Sequence, residues 1–440
     1  MKSGTVWICT VAVLAGIVIG FVGGAFRWCL QLADRGRVEL VDWSHHLPGP
    51  GWLVPIAVAA AGATLAALVV RWMPLAAGSG IQHVEAVYRG AARPPGLLLL
   101  PAKFVGGVLA IGSGLVLGRE GPTVHMGAAI GAQAARYGGL SDPDVRMMQT
   151  ALGGAGLAVA FNAPIGGALF TIEEATKSVR LKTVLATLCA TATAVACARL
   201  ILGDRPDFLV DPVAPLSTVW IPVFVVFGLI TGCLGAFYSR LVLSMLDAVA
   251  AVPRIPAVAK ASIIGAIVGL MAFVDPHAVG GGDALTQLIV GGGALALPLA
   301  LGYLAVRVFA GPLSYAAAVP GGLFAPLLAV GALWGVLFVG VLNLLWPNDG
   351  HSLAVPMAIV GMAAFFGAVV RAPLTAVVLV IEMTGITALA VPMLAATAAA
   401  VLTAELLKSP PIYDSLRERM QPDGNRDTLY SDERRNRGGQ

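Results

Sequence analysis

The chain has 440 residues, 58% of them hydrophobic and only 12% charged, where a soluble domain carries about 25% charged residues. This excludes a soluble globular protein and indicates a polytopic membrane protein. The net charge of +4, from 28 basic and 24 acidic residues scattered along the chain, excludes a nucleic-acid surface or a strongly acidic substrate.

In chain order, Lys2 precedes an apolar run over 6–26 that exceeds a signal-peptide core of roughly 7–15 residues and reads as the first retained span. Further apolar tracts lie at 52–70, 96–117, 122–135, 145–160, 164–172, 181–202, 220–246, 257–274, 298–310, 323–346, 356–370, 373–381 and 388–406. A straight crossing needs about 20 residues, so tracts such as 164–172 and 373–381 must end inside the bilayer. With 54 Gly and 28 Pro at many of the breaks, the chain predicts broken helices around an internal cavity, where non-helical backbone is tolerated at depth. The five cysteines (Cys9, Cys29, Cys189, Cys197, Cys233) stand singly, so neither disulfides nor a metal site is expected. Neither a phosphate-binding loop nor a dinucleotide fingerprint appears, and no cofactor is expected.

An internal repeat is visible. Residues 118–131 set against 322–335, an offset of 204 (322 minus 118), match Gly118/Gly322, Pro122/Pro326, Gly127/Gly331, Ala128/Ala332 and Gly131/Gly335. Later, Ala163-Pro164 against Ala372-Pro373, an offset of 209 (372 minus 163), also pairs Ile172-Glu173 with Ile381-Glu382. Two matches in one order predict two homologous halves, and Gly/Pro-interrupted segments at matching places in a transporter point to its binding site. The expected organisation is a transport domain over 1–407 with repeats of about 1–205 and 215–407, a segment 408–420 containing Tyr413, and a disordered polar tail 421–440.

The most informative stretch is Gly118-Arg119-Glu120-Gly121-Pro122, an ionisable pair inside an apolar tract. An intramembrane Glu suggests a functional site. Pro122 predicts a helix over 122–135 whose free N–H groups and positive dipole end face Glu120, an anion site with a carboxylate beside it. Gly78-Ser79-Gly80-Ile81, Gly321-Gly322-Leu323-Phe324-Ala325-Pro326 and Pro411-Ile412-Tyr413 share this chemistry. Their glycines allow close backbone approach, Pro326 starts a second helix with free donors, and Ser79 and Tyr413 each offer a hydroxyl. A partly dehydrated anion held by such dipoles could bind and still leave. Taken alone, Ser79 is an ordinary helix cap, Tyr413 an interfacial anchor and Phe324 a core residue. His83, four residues after Ser79, raises a hydrolase alternative with Ser79 as nucleophile, but neither an oxyanion site nor a substrate route accompanies it. Lys103, Arg371 and Glu382 read as structural, although Lys103 could also bias the pore potential, and Asn162 as the cap of a helix starting at Pro164.

These motifs, with Lys103 in Leu100-Pro101-Ala102-Lys103-Phe104 and with Phe161-Asn162-Ala163-Pro164, resemble the CLC family of chloride channels and proton-coupled chloride antiporters across almost the whole membrane region. The resemblance implies an all-α polytopic fold of two inverted-topology repeats with broken and re-entrant helices, and a homodimer with one anion pathway per subunit. It implies Ser79, Tyr413 and the amides of Leu323 and Phe324 as ligands of a central anion. Backbone around Arg119, Gly121 and Ala325 would line an outer site, and Glu120 would be the external gate. Serine at position 79 suggests chloride, since relatives preferring nitrate tend to have proline there. Gln82 departs from the family's usual proline without removing a ligand. The 27 residues after Tyr413 are too few for the paired regulatory domains of larger relatives, and a bacterial inner membrane is expected.

Glu173 and Glu174 end the tract 164–172. Neighbours on a helix lie about 100° apart, so one carboxylate could point inward while the other packs or meets solvent; a solvated helix end is the bland alternative. The resemblance implies Glu174 as internal proton acceptor, because antiporters of the family carry glutamate there and many channels do not. The expectation is proton-coupled chloride antiport, with a passive chloride channel as the runner-up.

Overall fold

The computed structural model describes residues 4–213, 216–345 and 353–420; the tail expected over 421–440 lies outside them. The first part of the chain forms α1 (Thr5–His45), α2 (Leu53–Trp72), α3 (Ile81–Tyr88), α4 (Leu99–Gly112), α5 (Glu120–Tyr137), α6 (Asp142–Phe161), α7 (Pro164–Phe170) and α8 (Leu181–Leu202). The second forms α9 (Ile221–Ala250), α10 (Ala257–Val274), α11 (Asp283–Val290), α12 (Leu297–Ala316), α13 (Phe324–Leu345), α14 (Ala354–Val370), α15 (Pro373–Thr384), α16 (Ala390–Leu406) and α17 (Ile412–Arg419). Among the described residues, seven helices are long and apolar enough to cross a membrane, while several others fall short of that length.

The repeat shows in how matched residues touch one another. Gly118 and Gly322 exchange both backbone hydrogen bonds at 2.8 Å in an antiparallel bridge. Residues related by the 204 offset thus pair with their own counterparts, as they must beside a local two-fold. At the matching short helices, the carboxylate of Glu173 accepts from the amides of Leu374 (3.0 Å) and Thr375 (2.7 Å). Glu382 in turn accepts from Ile165 (3.1 Å) and Gly166 (2.7 Å). Each half closes the N-terminus of the other half's broken helix, where free N–H groups and the dipole favour a carboxylate.

Tight helix contacts repeat as well. A Cβ on Gly127 or Gly131 of α5 would run into the backbone or side chain of α6 at Leu152. On Gly331 or Gly335 of α13 it would strike α14 at Gly361 or Met357. Small residues let helices approach this closely in a membrane, where packing and not burial from water drives association.

A further correspondence escaped the sequence. The short helical turns Pro74–Ala76 and Pro276–Ala278 lead into Gly78-Ser79-Gly80 and Gly280-Gly281-Gly282, and then into α3 and α11. Gly78 and Gly280 have φ of +59° and +69°, Gly80 and Gly282 of +92° and +100°, a left-handed backbone that favours glycine. A buried cation lies behind each loop. Lys103 donates to the carbonyls of Gly78 (2.7 Å) and Ser79 (3.2 Å). Arg307, its equivalent at offset 204, donates to Val279 (3.0 Å) and Gly280 (3.4 Å).

Several boundaries are corrected. The first helix continues far past residue 26 to His45, because Arg27 is not a solvated end but is buried against Asp207. The helix expected from Pro122 starts at Glu120, with Pro122 as its third residue. That position is equally free of an intrahelical N–H partner; α13 places Pro326 likewise. Asn162 does not cap α7. It ends α6 with φ +50°, donating to the Arg205 carbonyl at 2.7 Å and accepting from Arg199 at 2.9 Å. Helices α3 and α11 are absent from the apolar tracts, since eight residues containing Gln, His and Glu in α3, or Asp and Gln in α11, give no such tract.

Candidate functional site

The starts of α5 and α13, the loop before α3, and α17 converge on one buried locus. The Glu120 carboxylate is fully buried and lies between the paired glycines Gly118 and Gly322. One oxygen accepts from the Ala325 amide at 3.1 Å; the other has no partner. A carboxylate therefore sits where the first turn of α13 offers its free donors. Gly121 packs so closely on Ser79 that any side chain there would meet the serine's backbone.

Near Glu120, the hydroxyls of Ser79 and Tyr413 lie close together, and neither has a hydrogen-bond partner among the described residues. Both residues are fully buried. A buried O–H without an acceptor is costly, and two of them close together suit an anion. The rings of Phe324 and Tyr413 have centroids 5.7 Å apart, and Phe324 also packs on Phe161, Phe170 and Phe366. Leu323 and Phe324, both buried, supply the backbone that enters α13. The structure thus brings together Ser79, Glu120, Gly121, Leu323, Phe324, Ala325 and Tyr413. The Arg119 guanidinium acts on this locus through its charge and not through a hydrogen bond. It turns away to the Ala160 carbonyl (2.8 Å), Asp207 (3.0 Å) and Asp283 (3.3 Å).

A cavity lies against each glycine loop. One of about 330 Å³ reaches Gly281, Gly282 and Asp283; the other, about 550 Å³, reaches Gly78, Gly80, Gln82, His83 and Tyr315. Each half therefore presents its glycine loop to one cavity.

Helix α17, which carries Tyr413, is held by ion pairs. Arg417 bonds Glu85 of α3 at 3.1 Å and Arg419 grips Asp247 of α9 through both nitrogens at 2.7 and 2.8 Å. Asp414 pairs with Lys177 at 2.9 Å and Arg417 at 2.7 Å. Burial alone would raise the Asp414 carboxyl, but Lys177, Arg417 and Arg89 hold it below its ordinary range.

Glu173 and Glu174 separate as adjacent residues on a turn must. They lie in a five-residue π-helical turn, Thr171–Ala175, a local widening often found at functional sites. Glu173 is consumed in capping α15 and also accepts from the Thr375 hydroxyl at 2.7 Å. Glu174 points inward at 1% exposure, with one oxygen unpartnered. It lies near Glu85, a buried carboxylate that the sequence reading passed over. Arg371 ties to Val401, Glu405 and Ser409, and Glu382 to α7, as structural roles require. His83 bonds His125 at 3.1 Å and not Ser79, so the nucleophile and base of a hydrolase are not assembled. Asp207 and Asp283 also went unread. Their only sequence signal is that each is an acid next to a glycine or proline break.

Comparison with known proteins agrees with this geometry. Residues 61–405 match the family described as voltage gated chloride channel. The H(+)/Cl(-) exchange transporter ClcA of Vibrio parahaemolyticus serotype O3:K6 is 35% identical over 417 residues, covering 93% of this chain and 88% of that protein. ClcA of Cronobacter sakazakii is 34% identical over 418 residues, with 93% and 89% covered. A crystal structure of a slow cyanobacterial Cl-/H+ antiporter superposes with a TM-score of 0.89 at 28% identity, covering 96% of this chain and 99% of the other. The matched family, the extent of the match and the inverted-repeat architecture together place this chain in the voltage-gated chloride channel (CLC) family.

Proposed function

We propose that this integral membrane protein of the bacterial inner-membrane type exchanges chloride for protons, with Glu120 as external gate and Glu174 as internal proton acceptor. The observation that carries the reading is the Glu120 carboxylate resting on the Ala325 amide beside the unpartnered Ser79 and Tyr413 hydroxyls. A carboxylate that occupies an anion's place competes with the anion when ionised and releases the place when protonated. One group thereby links the two fluxes. The Ser79 and Tyr413 hydroxyls with the Leu323 and Phe324 amides form the central site, and backbone around Arg119, Gly121 and Ala325 the outer one. Lys103, bonded to the loop carbonyls, fixes the Ser79 loop and adds a positive potential behind it.

In this reading the cavity at Asp283 opens outward and the one at Gln82 and His83 inward. Glu174, buried near Glu85 and α17, receives protons on a route set apart from the inner cavity. Exchange is favoured over a passive channel by that buried glutamate and by the exchangers named among the relatives. A homodimer, each subunit with its own pathway, belongs to the same proposal. The test is Glu174→Gln in reconstituted vesicles: chloride flux continues and chloride-driven proton uptake is lost. Proton uptake equal to the parent's would remove Glu174 from the pathway.

A further inference from the structure

One residue of the segment between the two halves, Asp207, reaches the arginine beside the gate. Asp207, in the stretch joining α8 to α9, is 2% exposed at its side chain and is shared by two guanidiniums, Arg27 of α1 and Arg119 at the head of α5. Arg119 spends its remaining donors on Ala160 and on Asp283, whose side chain is one-third exposed. Arg27 is held in place by the Val159 carbonyl at 3.4 Å. The joining segment is itself clamped. Phe208 donates to Met383 at 2.9 Å, and Leu209 exchanges two 2.9 Å bonds with the Gln287 amide. Asp207 is thus a fixed charge, anchored to both halves, one guanidinium away from Glu120.

The groups that face the gate can be counted by element. Arg119 and Glu120 itself lie on α5, Arg27 and, further out, Asp34 with Arg37 on α1, Asp283 on α11 and Tyr413 on α17. To these Asp207, in the stretch joining α8 to α9, adds a deeply buried carboxylate that balances Arg119 from outside the gate's own helix.

We propose that Asp207 is a positioning residue for the gate: by holding and partly neutralising Arg119 it sets the external pH at which Glu120 yields its place to chloride. The inference rests on the gate reading of Glu120. Removing the Asp207 charge takes a carboxylate from both Arg27 and Arg119 and leaves Arg119 paired with the one-third-exposed Asp283, so the ionised Glu120 is favoured and more acid is needed to open the path. Removing the Arg27 charge leaves Asp207 wholly to Arg119 and lightens the positive field, so less acid is needed.

The experiment is chloride efflux from vesicles against external pH for the parent, Asp207→Asn, Asp207→Glu, Arg27→Gln and Glu120→Ala. The midpoint is expected to move by about one pH unit to acid in Asp207→Asn, the low end of what a neighbouring charge produces, because Asp207 acts through Arg119. It should move to alkaline in Arg27→Gln and stay near the parent's in Asp207→Glu. Asp204→Asn, an exposed change in the same segment, should leave it unmoved. Opposite signs distinguish a field at the gate from simple loosening. Unmoved midpoints, or shifts of one sign in Asp207→Asn and Arg27→Gln, overturn the proposal. If Asp207→Asn does not fold, the alkaline shift of Arg27→Gln decides alone, and its absence overturns it. A parent without pH dependence, or a Glu120→Ala protein that keeps it, would instead refute the gate reading underneath.

Discussion

Glu120, Ser79 and Tyr413 are three polar residues that an apolar core tolerates only at a cost, and each is left short of hydrogen bonds. The missing partner is what the proposal supplies. Glu120→Ala should leave chloride flux active and insensitive to external pH, with proton movement abolished; an inactive but well-folded variant would contradict the gate. Tyr413→Ala should weaken chloride binding roughly tenfold or more in calorimetry, since a hydrogen bond to a charged group contributes about 1.5–3 kcal/mol. Unchanged affinity would remove the hydroxyl from the site. Glu120 was legible in the sequence because a carboxylate between glycines in an apolar tract has few explanations. Asp207 was not, because its meaning lies in Arg27 and Arg119, 180 and 88 positions away.

At the scale of elements, the short helices α7 and α15 depend on each other. Because Glu382 satisfies two free amides of α7, Glu382→Ala should lower the thermal stability of the purified protein by about 1–3 kcal/mol, while chloride and proton fluxes stay coupled. Stability equal to the parent's would show that water replaces the cap at no cost. Glu173→Gln should behave likewise, and Glu174→Gln oppositely, sparing the fold and losing coupling. The sequence exposed the match of Glu173 with Glu382 but could not say that each serves the other's helix. It also placed the helix after Pro122 two residues late. Proline is acceptable anywhere in the first turn, so its position bounds a helix start without fixing it. The π turn that aims Glu174 inward has no sequence signature at all.

For the whole molecule, the two-fold is the organising fact, and the differences between its halves carry the function. Gly118 and Gly322 meet across it, Lys103 answers to Arg307, and the Ser79 loop answers to Gly280-Gly281-Gly282. Yet at offset 204 Glu120 faces Phe324, and Ser79 has a glycine counterpart, so the hydroxyl and the gate are confined to the first half. The offset of 204 was readable because Gly and Pro recur where backbones touch. The match of the glycine loop at 78 with the one at 280 was not, because their shared trait is a left-handed backbone. If this asymmetric pair of halves couples two ions, proton uptake and chloride efflux measured together, in vesicles holding the parent protein under an outward chloride gradient, should show protons driven uphill in fixed proportion to chloride, with Glu174→Gln abolishing only the proton flux. Chloride efflux without any proton movement in the parent would contradict this coupling and leave a passive channel.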